Sequence, residues 1–226
     1  MTKRIYLVGG SKGGVGKSMV TMGLVDFLNG LGEQVLLVDS DTSNPDVSKA
    51  FKTEVKCELV NLDEADGWIE LVNQCAEHRD SVVVINTAAR NNRGVAAYGT
   101  TLRSTLGEMD RELVTLWVIN RQRDSLELLS SYLETMADTT VHVVRNGYFG
   151  EARKFELFNG SKLRETVEGK GGKSLFFPDL ADRVSDDLYS RRLSIQAAAS
   201  VLPIGNRAEL QRWRAELQKM LSEVIH

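Results

Sequence analysis

Proline and cysteine are both scarce in this chain of 226 residues. The three prolines, at positions 45, 178 and 203, all fall outside the apolar runs. No run is therefore barred from joining a sheet interior or continuing as a helix. The two cysteines, Cys57 and Cys75, are too few for a disulfide framework, and their separation is not a metal-ligand spacing. Long hydrophobic runs are missing as well. The first apolar stretch, Ile5-Tyr6-Leu7-Val8, is too short for a secretory signal and far too short to span a bilayer. These absences lead us to expect a cytoplasmic protein with free thiols and no transmembrane segment. Charge of one sign is lacking too. The formal net charge is −3, with 14 Lys+Arg against 20 Asp+Glu in residues 1–144 and 14 against 11 in residues 145–226. That mild asymmetry favours a solvated mixed surface over one built for a polyanion.

What is present is enough apolar material, 42% of residues, for one sizeable core. Short β-branched runs at Ile5–Val8, Val35–Val38, Val82–Ile85, Val114–Ile119, Val141–Val144 and Leu175–Phe177 read as buried strands. Segments with helical periodicity lie between them, at about 17–30, 67–78, 95–107, 124–136 and 151–168. This alternation predicts an α/β fold, a mostly parallel twisted sheet with helices on both faces, formed by residues 1–226 as a single domain. A last helix, from about Asn206 to Ile225, has an apolar stripe of Leu210, Trp213, Leu217, Met220, Leu221 and Val224. Docking on the domain's own core is the expected use. Its polar face mixes Arg207, Arg212, Arg214 and Lys219 with Glu209, Glu216 and Glu223, which argues against a membrane-surface helix.

The chemistry is concentrated between the first strand and the first helix, at Ser11-Lys12-Gly13-Gly14-Val15-Gly16-Lys17-Ser18. Gly13, Gly14 and Gly16 allow backbone angles closed to other residues. Successive N–H groups then converge on an anion, and the helix that follows adds its positive end. Lys17 is placed to reach the β and γ phosphates, and the Ser18 hydroxyl to join a Mg²⁺ shell. The general pattern G-x-x-x-x-G-K-[ST] fails at its first position, where Ser11 stands, but the variant K-G-G-x-G-K-[ST] matches in full. Farther on, Asp39 and Asp41 end the second strand, at the sheet edge where ligands bind in such folds. The alternative is that both simply cap a turn, and the intact phosphate loop upstream favours function for Asp41. A second glycine- and lysine-rich stretch, Gly169-Lys170-Gly171-Gly172-Lys173-Ser174, lacks the needed earlier glycine, follows a helix, and reads as a surface turn.

Lys12-Gly13-Gly14-Val15-Gly16-Lys17-Ser18 resembles the deviant Walker A motif of the ParA/MinD group of P-loop ATPases. The resemblance implies a P-loop NTPase fold that binds ATP or ADP with Mg²⁺, with Gly13 through Ser18 and Met19 around the nucleotide. It implies that Lys12 crosses a dimer interface to the partner's phosphates, so that ATP joins a homodimer. Lys12, Lys17 and Asp41 would then be catalytic, Asp41 by orienting the attacking water. Ser18, Asp39 and Asn86 would serve the metal. The group usually has Asp where Asn86 stands. The amide can still bond a metal-bound water but lacks the charge that strengthens such a bond. Slow or partner-dependent hydrolysis is expected, and Asn86→Asp should raise turnover if the amide is limiting. Asn146, ending the fifth of these runs, would read the adenine edge unless it is an ordinary turn residue before Gly147, and Pro178 would lie over the base. Compact length, Asn86 and the segment Phe177-Pro178-Asp179-Leu180-Ala181-Asp182-Arg183 are similar to plasmid-encoded members of the StbB and TraL types, associated with plasmid stability and conjugative transfer.

Two functions compete at this point. One is an ATP-dependent dimerisation switch that binds a partner such as a DNA-binding adaptor protein or the nucleoid. The other is a nucleotide-binding scaffold with little hydrolysis. Non-specific DNA contact would use Arg153, Lys154, Lys162, Arg164, Lys170 and Lys173, but Glu151, Glu156, Glu165 and Glu168 are interleaved with them. With the phosphate loop beginning at residue 11, no DNA-reading domain is expected ahead of it. An iron–sulfur role would need cysteines following strands, which Cys57 and Cys75 are not expected to do.

Overall fold

A computed structural model describes residues 3–11 and 13–225 of the chain. Among the described residues, seven strands form one sheet: β1 (Ile5–Gly10), β2 (Val35–Asp39), β3 (Lys56–Leu59), β4 (Val82–Asn86), β5 (Leu113–Ile119), β6 (Thr140–Asn146) and β7 (Ser174–Phe177). Their order is β3-β2-β4-β1-β5-β6-β7, and every pairing is parallel. β1, β2, β4 and β5 are buried along their whole length, which is why they appear in the sequence as unbroken apolar runs. β3 is an edge strand with half-exposed Lys, Cys and Glu, and the same rule explains why the sequence reading passed over it.

Helices cover both faces. α1 (Lys17–Gly30), α2 (Asp46–Phe51), α8 (Asp182–Ser190), α9 (Ile195–Val201) and α10 (Ile204–Leu221) contribute to one core, with Phe51, Leu188, Ile195 and Trp213 at its centre. α3 (Ala65–Glu77), α4 (Asn92–Thr105), α5 (Arg123–Thr135), α6 (Glu156–Asn159) and α7 (Lys162–Gly169) lie along the other, built around Trp68, Trp117 and Phe158. Cys75 lies on the inner face of α3 with Trp68 and Leu71 and is fully buried in this second core. Cys57 lies within β3, and both thiols are free. The segment 151–168 is not one helix. It breaks into a 3-10 turn, α6 and α7, because Gly160 ends α6 and the Ser161 hydroxyl accepts the Arg164 N–H at 3.2 Å to start α7. Within it, Arg153 pairs with Glu151 and Arg164 with Glu168, as a solvated mixed face would. No helix among the described residues is long and apolar enough to cross a membrane.

The striped C-terminal helix does dock on the domain. Leu210, Trp213, Leu217, Met220, Leu221 and Val224 are all buried. α10 approaches α1 so closely that a Cβ on Gly23 would stand 2.5 Å from Leu217. Beside that contact, Arg214 donates two hydrogen bonds to Asp26, at 2.7 and 2.9 Å. Burial pushes the Asp26 carboxyl up, and the Arg214 charge and hydrogen bonds pull it back. Arg214→Ala would leave that carboxylate buried and uncompensated. The expected loss is about 3 kcal/mol at neutral pH by chemical denaturation, shrinking as the pH is lowered and Asp26 takes a proton.

Candidate functional site

The parallel register sets out the site before any side chain is considered. Asp39 of β2 pairs with Asn86 of β4, and Asn86 pairs with Val8 of β1. The strand ends carrying Asp39 and Asn86 therefore stand beside the loop that leaves β1. The loop itself turns on Gly14 at φ 77° and Gly16 at φ 101°, both in the left-handed region. At Gly16 a side chain is also excluded by space, since a Cβ would sit 2.2 Å from Asn146 Nδ2. Asn146 holds the loop by donating that amide to the Val15 carbonyl at 2.9 Å, and its Oδ1 accepts the Tyr148 N–H at 3.1 Å. One N–H and one acceptor lone pair remain to it for a ligand. On the other side, Asn92 donates to the Ser11 carbonyl at 2.9 Å, and the Ser11 and Ser125 hydroxyls bond at 2.7 Å. Lys12 lies outside the described residues.

Two cavities open on this loop. One, of about 240 Å³, is lined by Gly13, Gly14, Gly16, Lys17, Ser18, Asp41, Asn86, Thr87, Ala88, Ala89 and Tyr189. It gathers the loop, the α1 N-terminus and the β2 and β4 ends into one polar hollow, as a phosphate tail requires. The other, of about 190 Å³, is largely apolar and has Met19, Asn146, Tyr148, Phe177, Pro178 and Leu180 among its walls. Sequence reasoning picked out Met19, Asn146 and Pro178 here but passed over Tyr148, Leu180 and Tyr189, since a single aromatic or leucine carries no spacing signal. The Val15 side chain is buried beneath the loop, leaving only its main chain for a ligand.

Asp41 is half-buried and does cap its turn, with Oδ1 accepting from Ser43 Oγ at 2.9 Å and Asn44 N at 3.2 Å. It lines the phosphate cavity as well, so the turn and the cavity share one carboxylate. Arg90 stands 3.9 Å from it, bonds Ser43 and Thr42, and pairs closely with Asp63. The segments after β2 and β4 are thereby tied together. Asp39 is set apart from the cavity. It is fully buried and accepts from Asn86 Nδ2 at 3.0 Å, Asp41 N at 3.2 Å and Ser48 N at 3.1 Å. Burial pushes its carboxyl up, and those hydrogen bonds pull it back. Asn86 completes the chain, its Oδ1 accepting the Thr21 hydroxyl of α1 at 3.0 Å.

This geometry changes the expectation for Asn86→Asp. The amide is the donor that a buried carboxylate requires, and an Asp there would place two carboxylates in hydrogen-bond contact. We expect the variant to lose about 1–3 kcal/mol of stability at neutral pH instead of simply gaining turnover. The loss should shrink at acid pH, where the pair shares a proton; thermal unfolding across pH checks this.

Lys17 is a second titrating group. Burial pushes its ammonium down to about 8, and the Asp41 carboxylate offsets part of that. Its charge is present below that value, so nucleotide affinity should fall as pH rises above about 8. Folding should respond in the opposite sense. The unfolded lysine keeps its proton up to its usual 10.5, so the nucleotide-free protein gains stability from this group between those values. Calorimetric titrations paired with denaturation over that window test both slopes.

Comparison with known proteins agrees with the geometry. The profile of the CobQ/CobB/MinD/ParA nucleotide binding domain matches residues 6–149, more than half the chain. Protein MobD of Acidithiobacillus ferrooxidans is 68% identical over 226 residues, covering all of both chains. Among solved structures, the MinD cell division protein of Aquifex aeolicus superposes with a TM-score of 0.57 at 14% identity, over 96% of this chain and 97% of that one. The cell division protein FtsY of Thermotoga maritima gives 0.55 at 16% identity, over 78% of this chain and 62% of that one. At such identities the structural likenesses speak for the P-loop α/β fold alone; with the profile match and the full-length relative, the chain belongs to the CobQ/CobB/MinD/ParA family of nucleotide-binding proteins.

Proposed function

We propose that the protein is an ATP-binding, slowly hydrolysing switch of the ParA/MinD kind, in which bound nucleotide joins two copies and hydrolysis releases them. The observation that carries this reading is the convergence of the glycine loop, Lys17, Ser18 and Asp41 on one cavity, with an apolar cavity of base-accommodating character beside it. Lys17 would neutralise charge on the β and γ phosphates, and Asp41 would orient the attacking water. Ser18, Asp41 and Asn86 offer hydroxyl, carboxylate and amide oxygens, a hard donor set that suits Mg²⁺. The nucleotide's own phosphates would supply the remaining ligands of such a cation. Asp39 would act from behind, fixing Asn86. The likeness to Protein MobD supports a plasmid-associated setting and, within it, a mobilisation-related role over partition. An adaptor protein, with or without DNA, is the partner such a switch would position.

Asn86 favours a second reading, in which nucleotide sets conformation and hydrolysis contributes little. Phosphate release separates the two: the switch requires turnover that a partner accelerates, the scaffold none. Dimerisation tests what they share. Light scattering should report a dimer with ATP and Mg²⁺ and a monomer without. Lys12→Ala should remove the dimer while leaving nucleotide affinity within about threefold, because its proposed contact is made across the interface. A protein that stays monomeric with ATP, or dimerises equally without it, would falsify the switch.

A further inference from the structure

The two cavities on the loop share three lining residues, Gly14, Gly16 and Tyr189. The glycines present only main chain. Tyr189 is therefore, among the described residues, the one side chain that borders both the polar and the apolar hollow. It projects from α8, a helix that the sequence reading did not anticipate. Leu188 beside it is 1% exposed and anchors that helix in the core, whereas Tyr189 itself is 40% exposed. Ser185, one helical turn earlier, lines the apolar cavity too, so a face of α8 walls the site. The Tyr189 hydroxyl has no hydrogen-bond partner among the described residues. Burial, with the nearby Asp46 carboxylate, pushes the phenol up to about 12, so it stays a protonated donor.

In a nucleotide the sugar lies between the base and the phosphates. A ligand with its tail on the glycine loop and its base among Met19, Pro178 and Leu180 has to bring its sugar past Tyr189. We propose that Tyr189 is the nucleoside-recognition residue of the site: its ring closes over the sugar of the bound nucleotide and makes the site prefer a nucleotide to bare polyphosphate. This rests on the nucleotide-binding reading above and assigns a residue outside its loop and strand-end motifs. An aromatic ring suits the task, because it covers the apolar face of a sugar and loses little conformational freedom in doing so.

Calorimetry with ADP and with inorganic tripolyphosphate, each with Mg²⁺, tests the proposal on the full chain. Tyr189→Ala should weaken ADP about ten- to a hundredfold, the effect of removing a buried aromatic contact, and leave tripolyphosphate within about twofold. Tyr189→Phe should keep ADP within about threefold of the wild type, since the ring remains. A Tyr189→Ala protein that binds ADP like the wild type overturns the proposal. So does equal loss of both ligands, which marks a purely structural role; an unchanged melting temperature in ligand-free Tyr189→Ala guards against misfolding as the cause of a loss confined to ADP. A wild type that binds tripolyphosphate and ADP with equal affinity also overturns it. A wild type that binds neither overturns the nucleotide reading itself, and this proposal with it.

Discussion

The site depends on a main-chain conformation that only glycine adopts without strain, fixed by an amide more than a hundred residues away in sequence. Gly16 sits in the left-handed region with the Asn146 amide pressed against the place where a Cβ would be, and that amide holds the preceding carbonyl. The loop is therefore shaped by β6, not by its own sequence alone. Its other flank is tied to α4 through Asn92 and to α5 through Ser125. Preorganisation of this kind removes the ordering cost that a flexible loop would charge against every binding event.

Behind the loop, a set of buried polar groups ties the strand ends together. Asp39, Asn86 and Thr21 form one chain of hydrogen bonds, from β2 through β4 into α1. Ser40, Asn91 and Asp63 form another, in which Asn91 donates to Asp63 and shares the Ala88 N–H with Ser40. Each member has a partner, so the desolvation that would make such groups destabilising is met locally. The arrangement also gives Asn86 a reason to be an amide. A fully buried carboxylate at Asp39 requires a donor at this point, and a second acid cannot supply one without holding a proton.

Much of the fold was legible because a parallel sheet covered on both faces writes its strands as continuous apolar runs. The elements that escaped are those for which this logic fails. β3 is an edge strand of mixed polarity, and α2, α8 and α9 are short helices without a long apolar stripe. The interval 151–168 has helical periodicity, but Gly160 and Ser161 break it locally. In the site, residues within the loop motif were readable from spacing. The register of β2 against β4 could not be read, and without it Asp39 and Asn86 look like two independent candidates, not a bonded pair. Asn146 could be picked out as a residue of interest, whereas its bond to Val15 depends on tertiary structure that no local pattern records.

The C-terminal helix has a bearing on the site that its distance in sequence conceals. Trp213 Nε1 donates to the carbonyl of Pro178 at 2.9 Å, and Arg214 on the next residue grips α1 through Asp26. One turn of α10 thus braces both the wall of the apolar cavity and the helix that begins at the phosphate loop. Because such linkage acts in both directions, a filled cavity that steadies Pro178 also slows the opening of that turn, and amide hydrogen exchange around Trp213 becomes a remote gauge of occupancy.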